Sequence, residues 1–327
     1  MLGTVFVSAL AVPDTALPPR RPPVPVILDT DIGPDCDDAG ALAVLHVLAD
    51  RGEASILGVI CCTSSEWGAP CCDAINTYYG RPGLPVGTHK GEGFLCESRY
   101  KEAVARSFPT VLRSGREAPD ARDLYRRLLA AQPDRSVTVC AIGPVNNLRD
   151  LLHTGPDEHS PVAGAELVAA KVDCLVVMGG EFPSGEGWNF TQDGAAARDV
   201  CDHWPTPILF SGKEIGLGIM TGSRLYTETP PENPVRRAYE LWTGGTDRPS
   251  WDQTTVLAAV QGLRDYWTAQ TKGYCHVHED GSNEWRSSPE AASQPYRRHA
   301  YLVEKQPPAD LARVIEDLMV TPPRQRP

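Results

Sequence analysis

Short apolar runs alternate with helix-patterned segments along most of the chain, and no other feature narrows its fold as much. Residues 24–28 read as a strand, and 38–49 follow as a helix with Leu42, Leu45 and Ala49 on one face. Strands at 55–62, 84–86 and 137–142 alternate with helices at 73–79, 122–131 and 145–152. Further strands at 175–178, 208–210 and 301–303 alternate with helices at 194–203, 252–263 and 311–319. Such alternation predicts an α/β fold, a mostly parallel central sheet with helices on both faces. It assigns a single domain to 24–320, behind a leader or signal-like Pro-rich segment at 1–23. The polar stretch 273–298 reads as an excursion from that core.

In sheets of this type ligands collect beyond the carboxyl ends of the strands. The first strand is followed by Asp29, Asp31, Asp35, Asp37 and Asp38, five carboxylates in ten positions. They repel one another unless a positive charge sits among them, and a hard divalent cation with oxygen ligands is the simplest remedy. The run is not an EF-hand, because its glycine, spacing and final residue are wrong. Asp37 or Asp38 also suits the N-cap of the helix that follows.

Composition excludes some functions. Asp and Glu total 42 against 31 Lys and Arg, a net charge of −11, and a nucleic-acid backbone partner would need a basic face. No stretch of about 18 apolar residues is present, so no membrane-spanning helix is expected. Ala9-Leu10-Ala11 fits a signal-cleavage site, although no Lys or Arg precedes it. Export is expected if residues 1–11 belong to a signal peptide, and a cytoplasmic location otherwise. Of the ten cysteines, Cys140 and Cys174 lie in apolar runs and read as small core residues. In an exported chain, Cys61 or Cys62 bridging to Cys71 or Cys72 is open. His276 and His278 read as surface residues, and Glu214 as a supporting carboxylate.

The acidic run resembles the first motif of the inosine-uridine-preferring nucleoside hydrolases, in a longer D-T-D-x-G-x-D-x-D-D form. The resemblance continues in family order through residues 58–63, Ala141 to Leu148, Met178-Gly179-Gly180, Trp188-Asn189-Phe190 with Asp193, and Ser250-Trp251-Asp252. It implies the Rossmann-like fold of that family and Ca²⁺-dependent hydrolysis of ribonucleosides to free base and ribose. By position, Asp31 is implied as a metal ligand and as the base acting on a metal-bound water. Asp38, Asp252 and the backbone carbonyl of Ile142 are implied as further metal ligands. Asp37 and Asn189 match sugar-binding positions, Glu186 and Trp188 lie beside them, and Asp29 and Asp35 support the loop. The implied partner is a ribonucleoside or related N-riboside, with no nucleic acid and no membrane. A homo-oligomer is left open.

Three positions depart from that pattern. Trp251 stands where the common members carry a His that serves the leaving group, and an indole stacks on a base rather than protonating it. The family's Glu two residues before the sugar-binding Asn is Gly187 here, with Glu186 one position off. An Asn that usually follows the second strand is absent, and Ser64, Ser65 or Glu66 stands in that region. These departures leave as an alternative a non-catalytic ribose- or nucleoside-binding protein that kept the metal site, and Asp29-Thr30-Asp31 after a strand also fits a phosphatase with an Asp nucleophile.

Overall fold

The structure is a computed structural model describing residues 23–287 and 298–324. Residues 1–22 of the expected leader lie outside the described residues, as do 288–297 of the polar stretch.

The strands are β1 (Val24–Thr30), β2 (Ala54–Cys61), β3 (Val86–Thr88), β4 (Val137–Ala141), β5 (Val172–Met178), β6 (Ser184–Glu186), β7 (Ile208–Ser211), β8 (Met220–Thr221), β9 (Arg248–Pro249), β10 (Trp267–Gln270), β11 (Tyr274–Val277), β12 (Ser282–Arg286) and β13 (His299–Glu304). Eight form one sheet in the order β10-β13-β7-β5-β4-β1-β2-β3. Every neighbouring pair is parallel except β10 with β13.

Both faces of this sheet are covered, and the period-2 rule sorts its side chains between them. Val26 and Leu28 of β1 join one core, with helices Asp37–Asp50, Gly68–Tyr78, Trp251–Gln261 and Pro308–Met319. Ile27 joins the other, with helices Ala121–Ala130, Asn146–Leu152, Gly164–Lys171 and Gly194–His203. Helix Asp37–Asp50 is buried from Asp37 to Leu48 and has no polar face there, as expected for a helix enclosed between layers. Truncating its Leu42 or Leu45 to Ala would cost about 2–5 kcal/mol.

The chain steps outward from β1 to β2 and β3, then returns to β4 on the other side of β1. That reversal opens a crevice at the carboxyl ends of β1 and β4. The acidic run and the Ile142-Gly143 turn both emerge there.

Two sequence expectations change. Within the polar stretch, the described residues 273–287 are not merely an excursion: β11 and β12 form a hairpin that pairs with β6 in a three-stranded antiparallel sheet. Cys275 and Val277 alternate inward and are buried, while the alternating His276 and His278 are half-buried. Such a strand is polar at every second position and so escapes a search for apolar runs. The helix expected at 73–79 begins at Gly68, because Pro70 is tolerated in a first turn where no intrahelical N–H is needed.

Candidate active site

The floor of the crevice is acidic. Asp31, Asp37, Asp38 and Asp252 are buried, and they line one cleft of about 470 Å³ with Ile142, Met178 and Asn189. Carboxylate oxygens of Asp37, Asp38 and Asp252 lie within 4.8 Å of one another. Thr30 Oγ1 donates to Asp38 and accepts from the Ile32 amide at 3.1 Å. The helices Asp37–Asp50 and Trp251–Gln261 both begin at this cluster, so their N-terminal dipoles favour negative charge on it. Neither Asp37 nor Asp38 caps its own helix, whose N-cap is Cys36 without a side-chain bond. Asp37 instead accepts from the Asp252 amide at 3.3 Å, tying the two helix starts together across the fold.

Burial pushes the Asp31 carboxyl up to about 7, with Asp37 adding to the rise and Asp38 and Lys101 opposing it. Asp37, Asp38 and Asp252 are raised well above the usual carboxylate range, first by burial and then by a neighbouring carboxylate, Asp35 for Asp37, Asp31 for Asp38 and Asp37 for Asp252. Among the described residues no Lys or Arg forms an ion pair with any of these four. Asp35 is the exception in the loop: Arg248 Nε donates to its oxygens at 3.1 and 2.9 Å, and Nη2 donates to Oδ2. Buried carboxylates converging without an ion-pair partner are what a hard divalent cation fits. Ile142 lines the same cleft, and its carbonyl accepts from Asn189 Nδ2 at 3.1 Å, which leaves it a second lone pair.

Asp29 lies behind this floor. It is fully enclosed, absent from the cleft lining, and accepts from Tyr125 Oη (2.8 Å) and Asn147 Nδ2 (3.1 Å). Burial pushes it up to about 7, against these hydrogen bonds. A phosphatase reading would need this carboxylate open to substrate. Lys101, only 1% exposed, packs beneath the acidic loop and donates from Nζ to the Leu95 carbonyl at 3.2 Å. A Cβ at Gly33, where φ is +131°, would lie 2.5 Å from the Lys101 chain. At Gly143 a Cβ would lie 2.8 Å from the Asp31 amide, so the bare backbone lets β1 and the β4 turn close on each other.

The mouth is different in kind. Trp188, 46% exposed, and Glu186, also exposed, stand at one lip. Asn189 behind them is buried, with Nδ2 also donating to the Met178 carbonyl at 3.0 Å. Trp251 stands opposite, its Nε1 donating to the Lys213 carbonyl at 2.8 Å. The Arg248 guanidinium lies over the Trp251 ring at 5.1 Å. Among the described residues the titratable groups lining the cleft are carboxylates, Lys213 and Arg248, with no His.

All the residues read from the sequence as candidate site residues line this cleft except Asp29 and the supporting carboxylate Glu214. Arg248, Lys213, Lys101 and Tyr125 escaped that reading. Arg248 stands four residues before Asp252, and its place beside a motif is its only sequence signal; Lys101 has none. Elsewhere, His276, His278 and Glu284 share one face of the β11–β12 hairpin. Arg286 already answers the Glu284 charge there. Glu214 accepts from the Phe182 amide at 3.0 Å, outside the cleft lining. Cys61 and Cys72 meet with sulfurs 3.7 Å apart as free thiols.

The sequence profile of the inosine-uridine preferring nucleoside hydrolase family matches residues 26–281. A plant nucleoside hydrolase superposes with a TM-score of 0.68 at 18% identity, over 92% of this chain and all of its own. A purine-preferring ribonucleoside hydrolase from Gardnerella vaginalis gives 0.67 at 16% identity, over 90% of this chain and 97% of its own. The type III effector protein XopQ, solved with adenosine diphosphate ribose, gives 0.66 at 16% identity, over 92% and 93%. At these identities the likeness is one of fold. No curated protein matches the chain in sequence.

Proposed function

The chain belongs to the inosine-uridine preferring nucleoside hydrolase family, N-glycosidases acting on ribonucleosides, and from that premise we propose a Ca²⁺-dependent hydrolase in which Asp31 is the catalytic base. The observation that carries the cation is the buried set Asp31, Asp37, Asp38 and Asp252, without an ion-pair partner among the described residues, beside Ile142. Asp31, Asp38, Asp252 and the Ile142 carbonyl would hold it, and Asp29 and Asp35 brace the loop from behind and from the rim. When bound, such a cation lowers the pKa of water and accepts ribose hydroxyls.

The residues divide the reaction between them. Breaking an N-ribosidic bond develops positive charge on the sugar, and the floor carboxylates stabilise it as in glycoside hydrolysis. Asp31 takes the proton from the water that attacks the anomeric carbon. Asp37 and Asn189 grip the ribose hydroxyls, which selects ribose over deoxyribose. Trp251 and Trp188 receive the base at the mouth, and Glu186 contributes at the lip. The substrate is a neutral ribonucleoside or related N-riboside, with no nucleic-acid and no membrane partner. No helix among the described residues is long and apolar enough to cross a membrane.

The test is turnover of inosine, adenosine, guanosine, uridine and cytidine, with calcium or with chelator, following free base and reducing sugar. ADP-ribose, present in one structural relative, is included as a competitor. Chelator-sensitive release of base, abolished in Asp31→Ala, is the expected result. Tight nucleoside binding without turnover would instead make this a binding protein that keeps the metal site.

A further inference from the structure

We infer that Arg248 is the group that meets the leaving base, as a fixed cationic hydrogen-bond donor rather than a general acid; this rests on the hydrolase reading above and deepens it. When the N-ribosidic bond breaks, its electron pair passes to the base nitrogen, and negative charge grows there. Something positive or acidic must answer it at the mouth of the cleft, because the floor is committed to the sugar. The mouth offers Lys213, Glu186 and Arg248.

Arg248 is the one held in place. Asp35 grips it through Nε and Nη2, and the two side chains are only 35% and 20% exposed. Its plane sits over the Trp251 ring at 5.1 Å, and Trp251 is itself fixed by its bond to the Lys213 carbonyl. Nη1 makes no hydrogen bond among the described residues, so two donor hydrogens remain for a ligand. By contrast Glu186 is exposed, and no bond holds its carboxylate among the described residues. A base stacked in this mouth meets an indole and a guanidinium braced against each other. Arg248 and Asp35 come together across 213 residues of sequence, and the acidic run thereby places Asp35 at the mouth and Asp31, Asp37 and Asp38 on the floor.

The chemistry balances without a protein acid. The water oxygen bonds to the anomeric carbon, its proton goes to Asp31, and the C–N electron pair leaves with the base. Arg248 hydrogen-bonds the departing anion, which takes its proton from solvent. Arginine stays charged throughout, so it stabilises the base without transferring a proton. Asp35 and Trp251 are positioning residues for it.

Two substrates separate this role from a structural one: inosine, whose base is a poor leaving group, and 4-nitrophenyl β-D-ribofuranoside, whose phenolate leaves without help. Arg248→Met is expected to lower kcat on inosine by about 100-fold, the scale for losing one anion-stabilising donor. The inosine-to-nitrophenyl kcat ratio should fall at least about 30-fold on the same scale. Arg248→Lys should recover part of the ratio, and Asp35→Asn should lower it in the same direction by less. Thermal melting checks that each variant folds; if Arg248→Met does not, Arg248→Gln and Arg248→Lys carry the comparison. Equal losses on both substrates overturn the proposal, as does a ratio that moves with Glu186→Gln and not with Arg248 variants. If the wild-type protein hydrolyses neither substrate, the hydrolase reading itself fails, a result distinct from equal losses.

Discussion

The floor and the mouth of the cleft are built from the same ten-residue acidic run and end up with opposite properties. On the floor, Asp31, Asp37 and Asp38, joined by Asp252, are buried beside two helix N-termini with no ion-pair partner among the described residues. At the mouth, Asp35 is neutralised by Arg248, and the surrounding Trp188, Trp251 and Glu186 are half-buried or exposed. The lesson is that one loop serves two electrostatic tasks. Its rigid half rests on strand and helix ends and suits a cation and a ribose; its outer half is supplied by late chain segments and suits a base.

This contrast can be broken from either side. The largest effect belongs to the floor: Asp31→Asn should lower kcat by about 10³-fold with little change in KM, read by base release from inosine. A loss confined to KM would move Asp31 from chemistry to binding. Next, Asp252→Asn should weaken calcium by at least about 100-fold, the upper end seen even for outer-shell partners. An unchanged calcium affinity would detach Asp252 from the cluster. A smaller effect belongs to the mouth: Trp251→Ala should lower kcat on purine nucleosides by about 10-fold and on pyrimidine nucleosides by less, the scale of one aromatic contact. Equal losses on both would remove stacking as its role.

The smallest effect is on stability. Burial holds Asp29 and Asp31 at about 7 in the folded chain, against an ordinary value of 3.8. Between those values the folded protein keeps protons that the unfolded chain has released, so unfolding becomes easier as pH rises through that window. The chelated protein should therefore melt at a higher temperature at pH 5 than at pH 7.5. Saturating calcium should reverse the order, because its ligands bind only when deprotonated. A chelated protein that gains stability over this range would mean that the floor is already compensated.

The floor was legible in the sequence because it is local. A strand, five carboxylates and a helix follow one another within residues 24–50, and strand ends are where such folds place ligands. Asp252 needed the family resemblance, since nothing nearby in the chain announces its long-range meeting with Asp37. The mouth was half legible. Trp188, Glu186 and Trp251 stood next to recognisable motifs, whereas Arg248 belongs to the site only through its pairing with Asp35 across the fold. Lys101 was hidden for the same reason: its place beneath Gly33 is set by tertiary packing. The β11–β12 hairpin was misread because its inward Cys275 and Val277 alternate with histidines.

The central claim is that the buried floor carboxylates hold one divalent cation. Calorimetric titration of the chelated protein with calcium tests it most directly, run beside Asp38→Asn and Asp252→Asn. One ion per chain, bound with proton release at pH 6 to 7 and lost or strongly weakened in both variants, is the expected result. No binding, or binding that both variants leave intact, would contradict it.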